Sequence, residues 1–453
     1  MLRRPASVQT TLRSAVGGTL VGIAIVFVFV LFQATQFYEL TDPRAMDQAQ
    51  LARNISRGEG FTTKLVRPLS LARFPRLNRH PDVASAPLHP LFMSLLFRAL
   101  GPSARVASWA SGIPFLVTIP LVLWLGTRAF SRKVGVLAAM ATAANLGLLG
   151  VATGGTAVPL AGLLFTLLAV VVIKLHETER RCAPLTAAAG ALTALLYLTH
   201  YLYLLVFLPI AVLVVARFPA RQRVVALVVF VLAFGLVCSP WWVRNLLLVR
   251  DPLYTVTASE MVMGTRTHAG NTLYRSMDPA PDWLVPFAFH NPREIYEKVH
   301  DAAMLLHPVA LTVAGVVMTP FFLVAIIIPL GHVGLDRLRY AVCACLVLLA
   351  GGALLLMPDR TVLLPLAPVM TVVGAAFFYQ LLDLRLRPLA EGHRARWTSI
   401  AVTVLLVLHG LPVLLQLAPG RTTGAGQPAQ IMRACQELNN LTSQLAGGAR
   451  PAT

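Results

Sequence analysis

Long apolar runs recur along the whole chain and alternate with short polar segments. Eleven runs are long enough, or nearly so, to cross a bilayer as a helix, which requires roughly 20 apolar residues. They lie at 15–37, 106–127, 134–151, 156–173, 184–200, 201–216, 223–247, 303–330, 340–357, 361–382 and 397–416. The pattern predicts an all-α polytopic membrane protein with about 11 transmembrane helices, in which 184–216 is either two short spans or one bent helix.

The positions of Lys and Arg between these runs predict the orientation of the chain. Basic residues lie in the connections at 1–4, 128–133, 174–181, 217–223, 335–339 and 384–396, which all share one side if there are eleven spans. Short loops rich in Lys and Arg stay in the cytoplasm. We therefore expect an integral protein of the plasma (inner) membrane, with its N-terminus cytoplasmic, its first run an uncleaved anchor, and its C-terminal tail (417–453) outside.

Composition supports a membrane protein and excludes a nucleic-acid partner. The chain is 57% hydrophobic and 13% charged, whereas soluble domains are about a quarter charged. The net charge is +19, but the basic residues are scattered singly and in pairs between apolar runs, without the continuous basic face that nucleic acid requires. The five cysteines show no metal or disulfide spacing. Residues 1–416 are thus read as one transmembrane domain.

Two long loops, 38–105 and 248–302, are predicted to lie outside the membrane. The first contains ten Lys or Arg residues. A basic surface beside a bilayer suits an anionic partner, and two partners remain open: a bound lipid phosphate, or the headgroups of the surrounding membrane lipids.

The first long loop opens with an amphipathic helix. Asp42 and Pro43 fit the N-cap and first helical position, and Gly58 fits the residue just past the end of the helix. One face is a stripe of small residues that would pack on the membrane domain: Ala45, Ala49 and Ala52. The other face is polar: Asp47, Gln50, Asn54 and Arg57. On local grounds alone, Asp42 is a helix cap and Asp47 pairs with Arg44.

Seven short motifs follow one another along the chain. They are Asp42, Ala52-Arg53, Gly58–Phe61, Ala86–Leu91, Ser239–Asn245, Asp251–Tyr254 and Arg360–Pro368. Their order resembles the GT-C superfamily of integral-membrane glycosyltransferases, in particular the protein O-mannosyltransferase and lipid A aminoarabinose transferase type. Two features depart from the family pattern. Pro43 replaces the Glu of an Asp-Glu pair, and the 153–159 loop lacks the acid that relatives often have.

The resemblance implies transfer of a sugar from a polyprenyl-phosphate donor to a lipid, glycan or protein acceptor, with inversion at the anomeric carbon. The family's base position falls on Asp42, and Asp47 is the second choice. A carboxylate there would take the acceptor proton, while cationic groups would hold the departing phosphate. The phosphate-binding candidates are Arg244, Arg360, Arg53 and His200. The plainer alternatives are arginines that extend to the interface and a satisfied interfacial histidine.

Other functional classes remain open at this stage. A transporter or lipid flippase would show repeats and polar helix centres, and neither is evident in the sequence. A non-catalytic scaffold of the same fold is equally compatible with the motifs, because a fold does not fix a function. Metal dependence is also open: His80 and His89 lack a third ligand at readable spacing, so no metal site is assigned.

Overall fold

The computed structural model describes residues 8–178, 182–277, 284–328, 333–356 and 358–417. Most of the described residues are helical, and β1 (Thr62–Thr63) pairs antiparallel with β2 (His80–Pro81) in the first long loop. Residues 418–453, almost all of the predicted outside tail, lie outside the described residues. The all-α membrane architecture expected from the sequence is confirmed.

The helices alternate between long apolar rods and shorter pieces at their ends. They are α1 (Val8–Gln36), α2 (Pro43–Ser56), α3 (Pro68–Arg73), α4 (Leu88–Leu100), α5 (Ala104–Ala129), α6 (Arg132–Ala143), α7 (Leu146–Thr153), α8 (Val158–Glu177), α9 (Cys182–Thr199), α10 (Phe207–Val215), α11 (Ala220–Val249), α12 (Thr272–Arg275), α13 (Leu284–His290), α14 (Pro292–Ala310), α15 (Met318–Ala325), α16 (Val333–Leu355), α17 (Ala367–Leu386) and α18 (Glu391–Leu417). Short 3₁₀ segments lie at Tyr201–Val206, Val256–Met261 and Leu364–Leu366.

Seven described helices are long and apolar enough to cross a membrane, and an eighth crossing is possible where α6 and α7 form one span bent by 54°. The bend falls at Asn145, whose side chain accepts a hydrogen bond from the amide of Leu148 and so starts α7 anew. An N-cap of this kind redirects a helix because it satisfies amides that a continuous helix would bond internally.

The predicted span at 303–330 is wrong as a single helix. α14 begins at Pro292, inside the predicted outer loop, and ends at Ala310; α15 begins only at Met318. Pro308 lies in the last turn of α14, and Gly315 has a φ of 87°. A proline and a residue in the left-handed backbone conformation both interrupt a helix. The average hydropathy of a run is insensitive to both, which is why it predicts 303–330 as one span. The run at 201–216 is likewise divided between a 3₁₀ segment and α10.

The core is organised around α17, in which every residue from Ala367 to Phe378 is buried. Peripheral helices expose apolar side chains instead: on α11, Leu236 is 75% exposed and Leu247 is 79% exposed. An outward apolar face is the expected surface of a helix in lipid. The described helices thus form a bundle with a buried centre and an apolar exterior.

A ladder of hydroxyl and amide groups ties the ends of α1, α5 and α7 together. Gln33 Nε2 donates to Ser108 Oγ at 2.6 Å, and Ser108 Oγ donates to the carbonyl of Thr153, also at 2.6 Å. Beside it, Gly155 has a φ of 71°, and a Cβ there would lie 2.6 Å from Leu40 Cδ2. The 153–159 loop is therefore packed close to the entry of α2.

The long helices α9 and α11 cross in close contact. A Cβ at Gly190 would overlap the carbonyl oxygen of Phe230. We expect Gly190→Ala to force these helices apart and to lower the free energy of unfolding by about 1–3 kcal/mol, measured as a lower midpoint of thermal unfolding in detergent. The matched control is Gly351→Ala, at a helical glycine with no atom within 4 Å, where alanine should not destabilise. Equal midpoints for both variants would contradict this packing.

Candidate active site

The first feature of the site is the start of α2. Asp42 is its N-cap: Oδ1 accepts from the amides of Arg44 at 2.7 Å and Ala45 at 3.4 Å, with Pro43 next in the chain. Gly58, at a φ of 77°, follows the C-cap. The predicted bounds of this helix are confirmed. The cap fixes the Asp42 carboxylate relative to the helix axis.

The alanine face of α2 holds the helix against the membrane domain. Ala45 and Ala52 are fully buried, and Ala52 belongs to an apolar cluster with Phe97 of α4 and Ala107 of α5. A stripe of methyl groups lets two helix backbones approach closely. The stripe therefore sets the distance between α2 and the bundle.

The opposite face of α2 is polar in sequence, which predicts exposure to solvent, but part of it is buried. Asn54 is 2% exposed because its Nδ2 donates to the carbonyl of Thr62 at 2.8 Å. Beside the alanine stripe, Gln48 Oε1 accepts from Nδ1 of His89 on α4 at 2.7 Å. These contacts tie α2 to β1 and α4, so its polar residues serve partly to organise the first loop.

Arg44 lies one residue beyond the helix start and forms an ion pair across the molecule. Its Nη1 donates to Asp359 Oδ2 at 2.6 Å. The predicted pair between Arg44 and Asp47 is wrong, because the guanidinium turns toward the connection before α17. Although partial burial opposes charge, the carboxylates of Asp359, Glu260 and Asp42 raise the pKa of Arg44.

Asp47 faces a second arginine. Arg67 Nη2 donates to Asp47 Oδ2 at 2.6 Å, and Arg67 Nη1 lies 3.9 Å from Asp82 Oδ1. Burial raises the pKa of the Asp47 carboxyl, although Arg67 opposes this shift. One arginine thus connects the middle of α2 with the segment that follows β2.

The second long loop covers this arginine. The Arg67 guanidinium lies over the ring of Tyr274 at 5.4 Å from its centroid, and the Tyr274 hydroxyl donates to Glu260 Oε1 at 2.8 Å. Lys298 of α14 donates to the carbonyls of Glu260 at 2.6 Å and Met261 at 2.9 Å. Burial lowers the pKa of Lys298 to about 8. The two long loops therefore meet directly at the site.

Arg244 of α11 anchors the first loop instead of extending to solvent. Its guanidinium lies 4.4 Å from the centroid of Trp241 and 5.2 Å from that of Phe61, and Nη2 donates to the carbonyl of Asp82 at 2.7 Å. Trp241 is 8% exposed and donates to the hydroxyl of Tyr201 at 3.1 Å. Cation–π contacts of this kind are worth most where water is excluded.

His200 lies in the connection after α9, close to Arg44 and Asp359. Its Nδ1 accepts from the amide of Leu202 at 3.2 Å, which assigns the proton of the neutral ring to Nε2. Burial lowers the pKa of His200 to about 4, with a further contribution from Arg44. At neutral pH this histidine is uncharged and can donate one hydrogen bond.

The remaining candidates lie on exposed surface. Arg360 is exposed and directly follows Asp359 in the chain, so it lies beside the Arg44 pair. Arg53 is exposed on α2, about 16 Å from Asp42 along the helix at 1.5 Å per residue. The structure therefore gathers Asp42, His200 and Arg360 near one ion pair, holds Asp47 and Arg244 around Asp82, and leaves Arg53 apart.

Several residues of the site were not found by sequence reasoning: Arg67, Asp82, Glu260, Tyr274 and Asp359. A local signal exists for two of them. Asp82 accepts from the amide of Ser85, and Asp359 accepts from the amide of Thr361, both at 2.8 Å. Such short-range turns are readable in a sequence, but they do not show which distant arginine each carboxylate meets.

The described residues include no group of three His, Cys, Asp or Glu side chains that could hold a metal ion. Asp47 and Asp82 come nearest to a pair of oxygen ligands, and the Arg67 guanidinium already lies against both. A resident cation is therefore a poor fit between them.

Comparisons with known proteins identify the fold. No family model matches the sequence, and a search of curated proteins finds no match. The structure is similar to that of ArnT from Cupriavidus metallidurans bound to undecaprenyl phosphate, with a TM-score of 0.53 and 14% identity over 90% of this chain and 67% of ArnT.

A weaker similarity relates the chain to the archaeal oligosaccharyltransferase AglB from Archaeoglobus fulgidus, in complex with an inhibitory peptide and a dolichol-phosphate. Its TM-score is 0.46 at 11% identity, over 87% of this chain and 56% of AglB, and it supports no argument by itself. The match to ArnT shows that the two chains share a fold, as the resemblance inferred from the motifs implies.

Proposed function

We propose that this protein transfers a sugar from a polyprenyl-phosphate-linked donor to an acceptor hydroxyl on a lipid, glycan or protein, at the extracytoplasmic face of the membrane and with inversion. The observation that carries the proposal is the Asp42 carboxylate, held by its N-cap bonds where α2 meets the Arg44–Asp359 pair. The similarity to a GT-C protein bound to undecaprenyl phosphate supports the same chemical class of donor.

Asp42 is the base in this proposal. Within the described part of the chain, both of its hydrogen bonds use Oδ1, which leaves Oδ2 to accept the acceptor's proton. As the O–H proton passes to Asp42, the acceptor oxygen bonds to the anomeric carbon and the bond to the phosphate oxygen breaks. Asp47 is less suited, because the Arg67 guanidinium donates to its carboxylate at 2.6 Å and this positive charge opposes protonation.

Arg360 and His200 are the proposed contacts of the departing phosphate. Arg360 is exposed beside the ion pair, and the His200 ring carries its proton on Nε2 when neutral. A guanidinium and an N–H donor together stabilise charge on a phosphate oxygen. Arg244 is a weaker candidate, since two aromatic rings and the carbonyl of Asp82 already surround it.

A non-catalytic scaffold is the second candidate, and one observation favours it. The 153–159 loop packs against Leu40 at Gly155, close to Asp42, yet it contributes no carboxylate. A transfer assay of the wild type beside an Asp42 variant distinguishes a glycosyltransferase from a scaffold.

Replacing Asp42 by Asn should abolish transfer without unfolding the site. Asn caps a helix about as well as Asp but cannot take a proton, so we expect kcat to fall by about 10²–10⁴, with donor affinity retained. The measurement is sugar release from radiolabelled polyprenyl-phosphate sugars in the purified protein. Equal turnover in both proteins would remove Asp42 from the mechanism. An inactive wild type that still binds the lipid phosphate would favour the scaffold.

Arg360→Gln should impair both donor binding and departure of the phosphate. Losing one charge-assisted contact costs about 1.5–3 kcal/mol, so we expect kcat/KM for the donor to fall about tenfold or more. Arg57→Gln removes another exposed arginine, at the far end of α2, and serves as the control. A loss common to both variants would indicate general attraction of lipid charge in place of a specific contact.

A further inference from the structure

Arg44 binds two carboxylates with two different parts of the same residue. Its backbone amide donates to Asp42 Oδ1 at 2.7 Å, and its guanidinium donates to Asp359 Oδ2 at 2.6 Å. These partners are far apart in sequence: Asp42 precedes Arg44 by two residues, whereas Asp359 lies 315 residues beyond it. Movement of the first turn of α2 away from Asp359 is therefore opposed by the bond between Arg44 and Asp359.

Asp359 is itself held firmly. Its Oδ1 accepts from both the amide and the hydroxyl of Thr361 at 2.8 Å, while Oδ2 remains for Arg44. The same connection is fixed from the bundle, because the Tyr203 hydroxyl donates to the carbonyl of Val362 at 3.2 Å. Tyr203 is 2% exposed. Asp359 thus presents a fixed anion to Arg44, whose backbone amide is bound by the Asp42 cap.

The Arg44–Asp359 pair is expected to contribute little to folding stability but much to the reaction rate. The Arg44 and Asp359 side chains are 46% and 22% exposed, and exposed pairs contribute only about 0.2–1 kcal/mol to folding. A displacement of about 1 Å at a reacting group, by contrast, can cost on the order of a hundredfold in rate. A pair placed two residues from the base can therefore influence the reaction far more than it influences stability.

We propose that Asp359 is a positioning residue that acts through Arg44 to hold the Asp42 carboxylate in place relative to the start of α17. The inference rests on the proposed function in taking Asp42 as the base. It adds Asp359, which lies outside the family-like motifs, and it specifies that Asp359 acts on Asp42 through Arg44. Glu260, Tyr274 and His200 also lie near Arg44, but its hydrogen-bonded carboxylate in another segment is Asp359.

The test is a double-mutant cycle. Asp359→Asn keeps an oxygen for Thr361 but removes the anion that faces Arg44. We expect kcat to fall about tenfold, with donor KM within about twofold and an unchanged unfolding midpoint. Introducing Asp359→Asn into Arg44→Gln should change kcat by less than about twofold, because the interaction is already lost. Arg44→Lys should restore part of the rate lost in Arg44→Gln.

Glu177→Gln provides the matched control. It breaks an exposed pair with Arg128, 3.0 Å long, whose carboxylate is also 22% exposed. We expect no change in kcat from this variant. A loss equal to that of Asp359→Asn, or losses from Arg44→Gln and Asp359→Asn that simply multiply, would overturn the proposal.

Hydrogen exchange of the amides of residues 44–49 gives a readout that does not depend on activity. Faster exchange in Asp359→Asn, with unchanged exchange in Glu177→Gln, supports positioning of the first turn; unchanged exchange in both overturns it. If the wild type transfers no sugar, the proposed function fails, and exchange alone still decides whether Asp359 holds the turn. Faster exchange with undiminished kcat in an active protein would overturn the catalytic consequence.

Discussion

The candidate site depends on the burial of the alanine face of α2. Ala45 and Ala52 have no exposed surface, so the α2 backbone lies directly on the packing surface of α4 and α5. With the helix fixed at this distance, its N-cap determines where Asp42 lies. Larger side chains at these positions would lift the helix and carry the carboxylate with it, because a close-packed interface has no space to absorb them. The polar site is thus built on an apolar contact.

The sequence predicts an element correctly where the residues that determine it are close together in the chain. Asp42, Pro43 and Gly58 specify the start and end of α2 by capping and backbone chemistry, and the structure has the helix between them. The spans were less readable. At 303–330 the apolar run continues, but Pro308 and Gly315 separate α14 from α15. Average hydropathy measures transfer to lipid and does not register a single residue that breaks the hydrogen-bond ladder of a helix.

The partners of the charged residues could not be predicted for a different reason. Arg44 could meet the nearby Asp47 within one helical turn, which is the natural expectation from spacing. The structure gives Arg44 a partner 315 residues away and gives Asp47 a partner 20 residues away. An i,i+3 pair on an exposed helix is worth only tenths of a kcal/mol. Tertiary contacts that bring complementary charges together outweigh so small a local preference, and a single sequence does not record them.

The missing acid of the 153–159 loop does not leave the site without carboxylates. That loop is packed closely on Leu40: Gly155 has a φ of 71°, and a Cβ there would lie 2.6 Å from Leu40 Cδ2. Acids reach the site from other segments instead: Asp82 follows β2, Glu260 comes from the second long loop, and Asp359 precedes α17. Each is bound to an arginine or a tyrosine, whereas Asp42 is bound, within the described residues, only by backbone amides. Both oxygens of Asp82 and of Asp359 face a donor, whereas Oδ2 of Asp42 can still receive a proton, and this distinguishes Asp42 chemically from those two carboxylates.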